Sequence, residues 1–300
     1  MKRAAVIAGL LTIAIWAVAQ STEAAAQTAP AAGQATPAQG TPAAQTTPAA
    51  GTTTPPIKRP PQAKTQPEFD AYKAAAALTD AAAQEKAADD FATKFPDSEL
   101  RVLLYKNVMH LYQNTNNAEK TEAMGRKVLA IDPDDPDALT TVAEVIAERT
   151  RDTDLDKDQR YAEGMKMAEK ALQTIDTDVA VPAGTPQDKI DAYKSGMRSQ
   201  AYSTMGAIEY NRNNFAAAQT DFQKAIDAFP SQPYPPDVLR LALSLDKQQK
   251  YEEALKVANR AVELTQDNTT IGSSARRERD RLQQLTGSVP AQPQAQPPKH

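Results

Sequence analysis

Acidic side chains recur at a fixed spacing in one loop of the chain. Counted from the first of them, they fall at positions 1, 3, 5, 7 and 12: Asp152, Asp154, Asp156, Asp158 and Glu163. Oxygen ligands at this spacing can wrap around a hard cation, so the loop is a candidate calcium site. However, Lys157 stands where the sharp turn of such a loop needs glycine, and Gln159 replaces the usual apolar residue. The alternative is a solvated acidic loop in which an aspartate caps a helix beginning near Gln159.

Catalytic motifs are nearly absent. The S-x-x-K match at Ser244 to Lys247 lies inside a helical pattern without an accompanying S-D-N or K-T-G, which favours a chance match. No P-loop, dinucleotide-binding, zinc-protease or nucleophile-elbow motif occurs. The chain has no Cys and two His, which excludes a thiol nucleophile and a multi-His metal centre. We therefore predict that the protein is not an enzyme and has no cofactor, calcium apart.

The elements that position these residues are helical. Between residues 67 and 287 apolar residues recur at helical spacing, and no strand-like alternation is sustained. In one unit Ala218, Phe222 and Ala225 share a helix face, facing Gly206 on the preceding helix, and Pro230 ends the unit. Small residues at these positions allow two antiparallel helices to approach closely.

This unit resembles the tetratricopeptide repeat, and the resemblance extends over most of residues 67–270. It implies an all-α solenoid of about five helix pairs with a C-terminal capping helix. The predicted repeats cover residues 65–98, 102–135, 136–179, 199–232 and 235–268, and the cap covers 273–286. Between the third and fourth repeats, the stretch 177–185 predicts a local break, followed by a long helix over 186–211.

The resemblance also implies a right-handed superhelix whose first helices line a groove that binds a peptide or protein segment. Family positions that face this groove correspond to ten residues: Lys106, His110, Asn114, Thr140, Glu144, Glu148, Ser203, Tyr210, Asn211 and Lys247. These side chains are mixed and polar, which favours a weak or regulated peptide contact over an apolar anchor.

Both ends of the chain differ from the repeats. Lys2 and Arg3 precede an apolar run that ends in A-x-A-like sites, which predicts a signal peptide over 1–19, with cleavage after Ala26 as the alternative. Residues 20–66 and 288–300, rich in Ala, Pro, Thr and Gln, predict a disordered linker and tail. We expect an exported, periplasmic bacterial protein without stable membrane insertion; retention of the signal as an inner-membrane anchor is the alternative.

These features predict a scaffold that binds a protein partner, with a role in cell-envelope assembly suggested by the resemblance. With 34 basic and 38 acidic residues the net charge is −4, which offers no basic surface for nucleic acid. A peptidoglycan- or carbohydrate-binding module is the alternative, although the only Trp lies in the predicted signal peptide. A hydrolase with an unrecognised site is a third possibility, and the sequence leaves the oligomeric state open.

Overall fold

Regular structure in the computed structural model, which describes residues 58–182 and 184–287, is entirely helical. Eleven helices follow one another in this part of the chain: α1 (Gln66–Ala76), α2 (Ala81–Lys94), α3 (Leu100–Asn114), α4 (Ala118–Ile131), α5 (Pro136–Arg149), α6 (Lys157–Thr174), α7 (Gln187–Asn211), α8 (Phe215–Ala228), α9 (Pro235–Lys247), α10 (Tyr251–Glu263) and α11 (Thr270–Thr286). The all-α prediction is confirmed. None of these helices is both long and apolar enough to span a bilayer.

Side-chain caps fix where several helices begin. The carboxylate of Asp135 accepts the backbone N–H of Ala138 at 2.9 Å, with Pro136 at the first helical position. Thr65, Asp80 and Asn117 cap α1, α2 and α4 in the same way. Each cap satisfies a backbone donor that has no partner within its helix.

The helices pack as consecutive hairpins, α1/α2 through α9/α10, each hairpin against the next, and α11 packs on α10 and α9. The hairpins lie where the five repeats are predicted. Ala218, Phe222 and Ala225 are fully buried, as are Ala254, Ala258 and Ala261 on the equivalent face of α10. Small side chains therefore line the buried face of the second helix in both of these pairs.

The longest helix is α7, which has 25 residues and lies within the stretch predicted as one long helix. Its first half covers a small apolar cluster of Ile175, Val179, Tyr193 and Met197. It packs on both α5 and α6, so the array continues across the irregular stretch that precedes it.

The end of the predicted linker lies against the array. The ammonium of Lys58 is 2.6 Å from Oδ1 of Asp132, and the backbone N–H of Lys58 donates to the carbonyl of Thr177 at 2.9 Å. Arg59 pairs with Glu99. Residues 58–65 therefore touch the turns that follow the first three hairpins. The predicted signal peptide, the rest of the predicted linker and the predicted tail lie outside the described residues.

Candidate partner-binding recess

A recess opens between the first helices of the last three hairpins, α5, α7 and α9. It encloses about 260 Å³ and is lined by Glu144, Ala147, Glu148, Thr150, Ser203, Thr204, Ala207, Tyr210, Asn211, Phe222 and Arg240. Five of the ten residues predicted to face a groove lie in this wall: Glu144, Glu148, Ser203, Tyr210 and Asn211. We call this surface the recess.

The α5 wall of the recess is acidic. Glu144 and Glu148 are four residues apart, so their side chains share one face of the helix. The Nε2 of Gln200 donates to Oε2 of Glu144 at 2.7 Å. Within the described part of the chain, Glu148 has no hydrogen-bond or ion-pair partner. Partial burial and the neighbouring Glu144 charge together raise the pKa of Glu148.

The α7 and α9 walls combine structural and free polar groups. The hydroxyl of Ser203 donates to Oδ1 of buried Asp237 at 2.6 Å, which ties α7 to α9. The ring of Tyr210 meets Phe215 edge-on with centroids 5.3 Å apart, and burial raises the pKa of its hydroxyl. Arg240 brings a guanidinium into the recess that pairs with no carboxylate in the residues described.

Two predicted groove residues, Lys106 and His110, belong instead to a buried ionic cluster with Asp135 and Asp137. The Lys106 ammonium is 3.0 Å from Asp135 and 3.3 Å from Asp137. The Nε2 of His110 is 2.9 Å from Oδ2 of Asp137. Burial raises the pKa of Asp137, but the His110 and Lys106 charges outweigh it and hold that pKa well below its usual range. These side chains connect α3 to α5 and are largely inaccessible to a ligand.

The remaining predicted groove residues lie outside the recess. Thr140 is fully buried, and its hydroxyl donates back to the carbonyl of Pro136 at 2.9 Å. Asn114 is exposed at the end of α3, and Lys247 is exposed at the end of α9. The predicted groove therefore divides into a buried polar cluster, an open recess and isolated surface residues.

The acids of the predicted calcium loop do not converge. Asp154 accepts the backbone N–H of Arg151, Glu163 pairs with Arg126 on α4 at 2.8 Å, and Asp152 lies 3.9 Å from Lys157. Helix α6 begins at Lys157, which places Asp158 and Glu163 on the helix itself. In residues 58–182 and 184–287, no group of three or more Asp, Glu, His or Cys side chains is placed to hold a metal ion.

The sequence analysis did not predict two side chains of this region: Arg240, which lines the recess, and Gln200, which donates a hydrogen bond to Glu144. Arg240 lies seven residues before Lys247, two helical turns away on the same face of α9, so helical periodicity could have predicted that it faces the recess. No feature of the sequence pointed to Gln200, because its contact with Glu144 depends on how α7 packs beside α5.

In a comparison with known protein families, one stretch of the chain matches a family model. Residues 238–268 match the family model of the tetratricopeptide repeat, which places such a repeat over α9, α10 and the turn that follows. No curated protein matches the chain in sequence.

Several solved structures are similar to the chain at low sequence identity. One is a thermophilic TPR protein of Thermus thermophilus, with 11% identity, a TM-score of 0.44, and coverage of 70% of this chain and 98% of that one. Another is BtubC (BKLC) from P. vanneervenii, with 14% identity, a TM-score of 0.42, and coverage of 79% and 98%.

Proposed function

We propose that this tetratricopeptide-repeat protein is a non-catalytic scaffold that binds a protein or peptide segment in the recess between α5, α7 and α9. The observation that carries the proposal is the set of polar side chains in the recess that have no partner in the described chain, Glu148, Tyr210 and Arg240. The same lining contains three apolar residues, Ala147, Ala207 and Phe222, which we call the floor of the recess. A recess with an apolar floor and a few converging polar groups is typical of a binding site.

We further propose that the scaffold acts in the bacterial periplasm, in the assembly of the cell envelope. Support comes from the N-terminal charge and apolar run of a signal peptide and from the absence of Cys in the sequence, which suits a fold that needs no disulfide in an oxidising compartment. Periplasmic extraction followed by intact-mass measurement tests this part. A mass that begins at Gln20 or Gln27 is expected, and a cytoplasmic, full-length chain would contradict it.

Proximity labelling in the native host tests the binding role. Three forms of the chain are compared: wild type, Glu148→Lys in the recess, and Glu252→Lys on the exposed surface of α10. We expect one set of proteins to be labelled by wild type and by the α10 variant, and to be reduced with the recess variant. Equal labelling by all three forms would contradict binding at the recess.

A further inference from the structure

The recess carries an unbalanced negative charge. Of the residues that line it, two are acidic, Glu144 and Glu148, and one is basic, Arg240, which leaves 2 − 1 = 1 negative charge. The Arg240 charge lowers the pKa of Glu148 only partly, because burial and the Glu144 charge still raise that pKa overall. In the described structure the carboxylate of Glu148, a residue that remains exposed to solvent, lies beside a second carboxylate without a cation paired to it.

The geometry of α5 suits one cation. Carboxylates four residues apart on a helix lie one above the other, about 6 Å apart at their Cβ atoms. The amide of Gln200 donates to one oxygen of Glu144, and the other oxygen of Glu144 and both oxygens of Glu148 have no hydrogen-bond partner among the described residues. No third metal-binding side chain joins this pair in the described structure. Two carboxylates suit an ammonium or guanidinium group, which donates several hydrogen bonds.

The floor of the recess adds a second requirement. Ala147 and Ala207 supply apolar lining to the same recess as the carboxylates, and Phe222, which also borders it, is fully buried. Lysine and arginine side chains place an apolar stem on such a surface while the charged end reaches polar groups. A free inorganic cation would leave this apolar floor uncovered. An acidic side chain would be repelled by the negative charge of Glu148.

We propose that the recess binds a lysine or arginine side chain of an extended peptide segment, with the cation between Glu144 and Glu148 and the stem over Ala147 and Ala207. This inference rests on the proposed binding function and specifies its ligand. It assigns recognition of a basic residue to Glu148. Arg240, on the opposite wall, is then available to a carboxylate or carbonyl of the same segment.

Selection from a random library of short displayed peptides tests the inference. The full chain is used as bait in three forms: wild type, Glu148→Gln, and Glu252→Gln as a control that removes an equal charge from the exposed surface of α10. We expect peptides enriched on wild type and on the control to share a lysine or arginine. Its replacement by alanine, or Glu148→Gln in the protein, should each weaken binding about tenfold or more, as for loss of a charge-assisted hydrogen bond.

The outcomes separate the two proposals. Enriched peptides that share no basic residue, or basic peptides that bind Glu148→Gln as tightly as wild type, would overturn the lysine or arginine assignment and leave the scaffold role standing. If no peptide is enriched on wild type, the peptide-binding function itself is contradicted. Affinity of a selected peptide should also fall as the pH is lowered through the pKa of Glu148, since protonation removes the attraction.

Discussion

Gly206 on α7 has no side chain, and this allows the ring of Phe222 on α8 to pack closely against its backbone. A Cβ atom built on Gly206 would lie 2.8 Å from Cδ1 and 2.9 Å from Cε1 of Phe222, a fully buried ring. Overpacking a core costs about 1–3 kcal/mol, and the higher helix propensity of alanine over glycine offsets about 1 kcal/mol of that cost. We therefore predict that Gly206→Ala lowers the free energy of unfolding by up to about 2 kcal/mol. Urea unfolding followed by circular dichroism measures the difference.

The matched control is a smaller ring partner. Phe222→Leu alone should destabilise the protein by leaving a cavity, but the double variant Gly206→Ala/Phe222→Leu should lose less than the sum of the two. Strict additivity would show that the alanine methyl does not meet this ring.

The buried ionic cluster should make the stability of the protein depend on pH, in a direction that follows from the raised pKa of His110. Burial lowers the pKa of His110, but Asp137 raises it more, against opposition from Lys106, so the result lies above the ordinary value of 6.5. A raised folded-state pKa means that the stabilisation is complete below about pH 6 and is lost as the pH rises through that pKa. We predict that the free energy of unfolding falls as the pH rises from about 6.5 through the raised pKa of His110, by about 1.4 kcal/mol per unit of pKa elevation.

Unfolding in urea at each pH measures this dependence, and His110→Gln provides the comparison. Glutamine keeps a hydrogen-bonding side chain but cannot titrate, so the fall with rising pH should largely disappear. A pH profile of the same slope in the variant would assign the dependence to other groups.

The predicted groove residues also show what the positions of the repeat family cannot predict about the site. The register placed ten residues on the groove side of the first helices, and five of them, among them Glu144, Glu148 and Tyr210, line the recess. It could not show that Lys106 and His110 would turn toward Asp135 and Asp137, because that pairing depends on how closely α3 approaches α5. Charge pairing between repeats is a tertiary property that spacing within one repeat does not contain.

At the scale of elements, one turn recurs inside three hairpins. The second residue after α3, α7 and α9 has a positive φ: 57° at Asn116, 63° at Asn213 and 61° at Gln249. In each hairpin the next backbone N–H donates to a carbonyl five residues earlier, for example Lys250 to Leu245 at 3.0 Å. The left-handed conformation suits asparagine and glycine but is costly for glutamine.

We predict that Gln249→Gly stabilises the protein by up to about 1 kcal/mol, because glycine adopts a positive φ without a Cβ clash. The gain is reduced by the greater freedom of glycine in the unfolded chain. Lys247→Gly is the matched control: Lys247 is the exposed last residue of α9 and has a helical backbone, so glycine there should only destabilise. Thermal and urea unfolding compare both variants with wild type, and equal effects of the two glycines would contradict the role of the turn.

Element boundaries were predictable where a local signal exists. Asp135 caps α5 with Pro136 at its first position, and the long helix predicted over 186–211 begins at Gln187. The positions of the acidic side chains in the loop could not be predicted in this way, because they depend on where α6 begins. With a start at Lys157, Asp158 and Glu163 lie on helical turns, and the acids of the loop do not converge in the described structure.

At the scale of the whole molecule, composition described the repeats better than the segment before them. Residues 58–65 share the prolines of the preceding linker and were assigned to it, although they carry three basic residues, Lys58, Arg59 and Lys64, where residues 24–57 carry no charge. Their place on the array comes from contacts that are distant in sequence, Lys58 with Asp132 and Asp178, and Arg59 with Glu99. No window of neighbouring residues contains such contacts.

This segment should act as a strap that couples the first three hairpins. In a repeat array, stability is close to a sum of repeat and neighbour-interface terms, and the strap adds a connection from the turn after α2 to the stretch after α6. Lys58 is half-buried, with 34% of its side chain exposed, and Asp132 is 17% exposed. We predict that Lys58→Ala lowers stability by about 1 kcal/mol or less, in line with a partly exposed ion pair, and that the loss is confined to residues before α7.

Native-state hydrogen exchange resolves this position dependence. Amides in α3 to α6 should exchange faster in Lys58→Ala, whereas those in α9 to α11 should keep their wild-type rates, because local opening follows the contacts of each unit. Lys86→Ala is the control, since Lys86 pairs only with Asp90 on its own helix, where both side chains are exposed. A uniform acceleration along the array, or an effect on α3 to α6 no larger than that of the control, would show that the segment rests on the surface without coupling the hairpins.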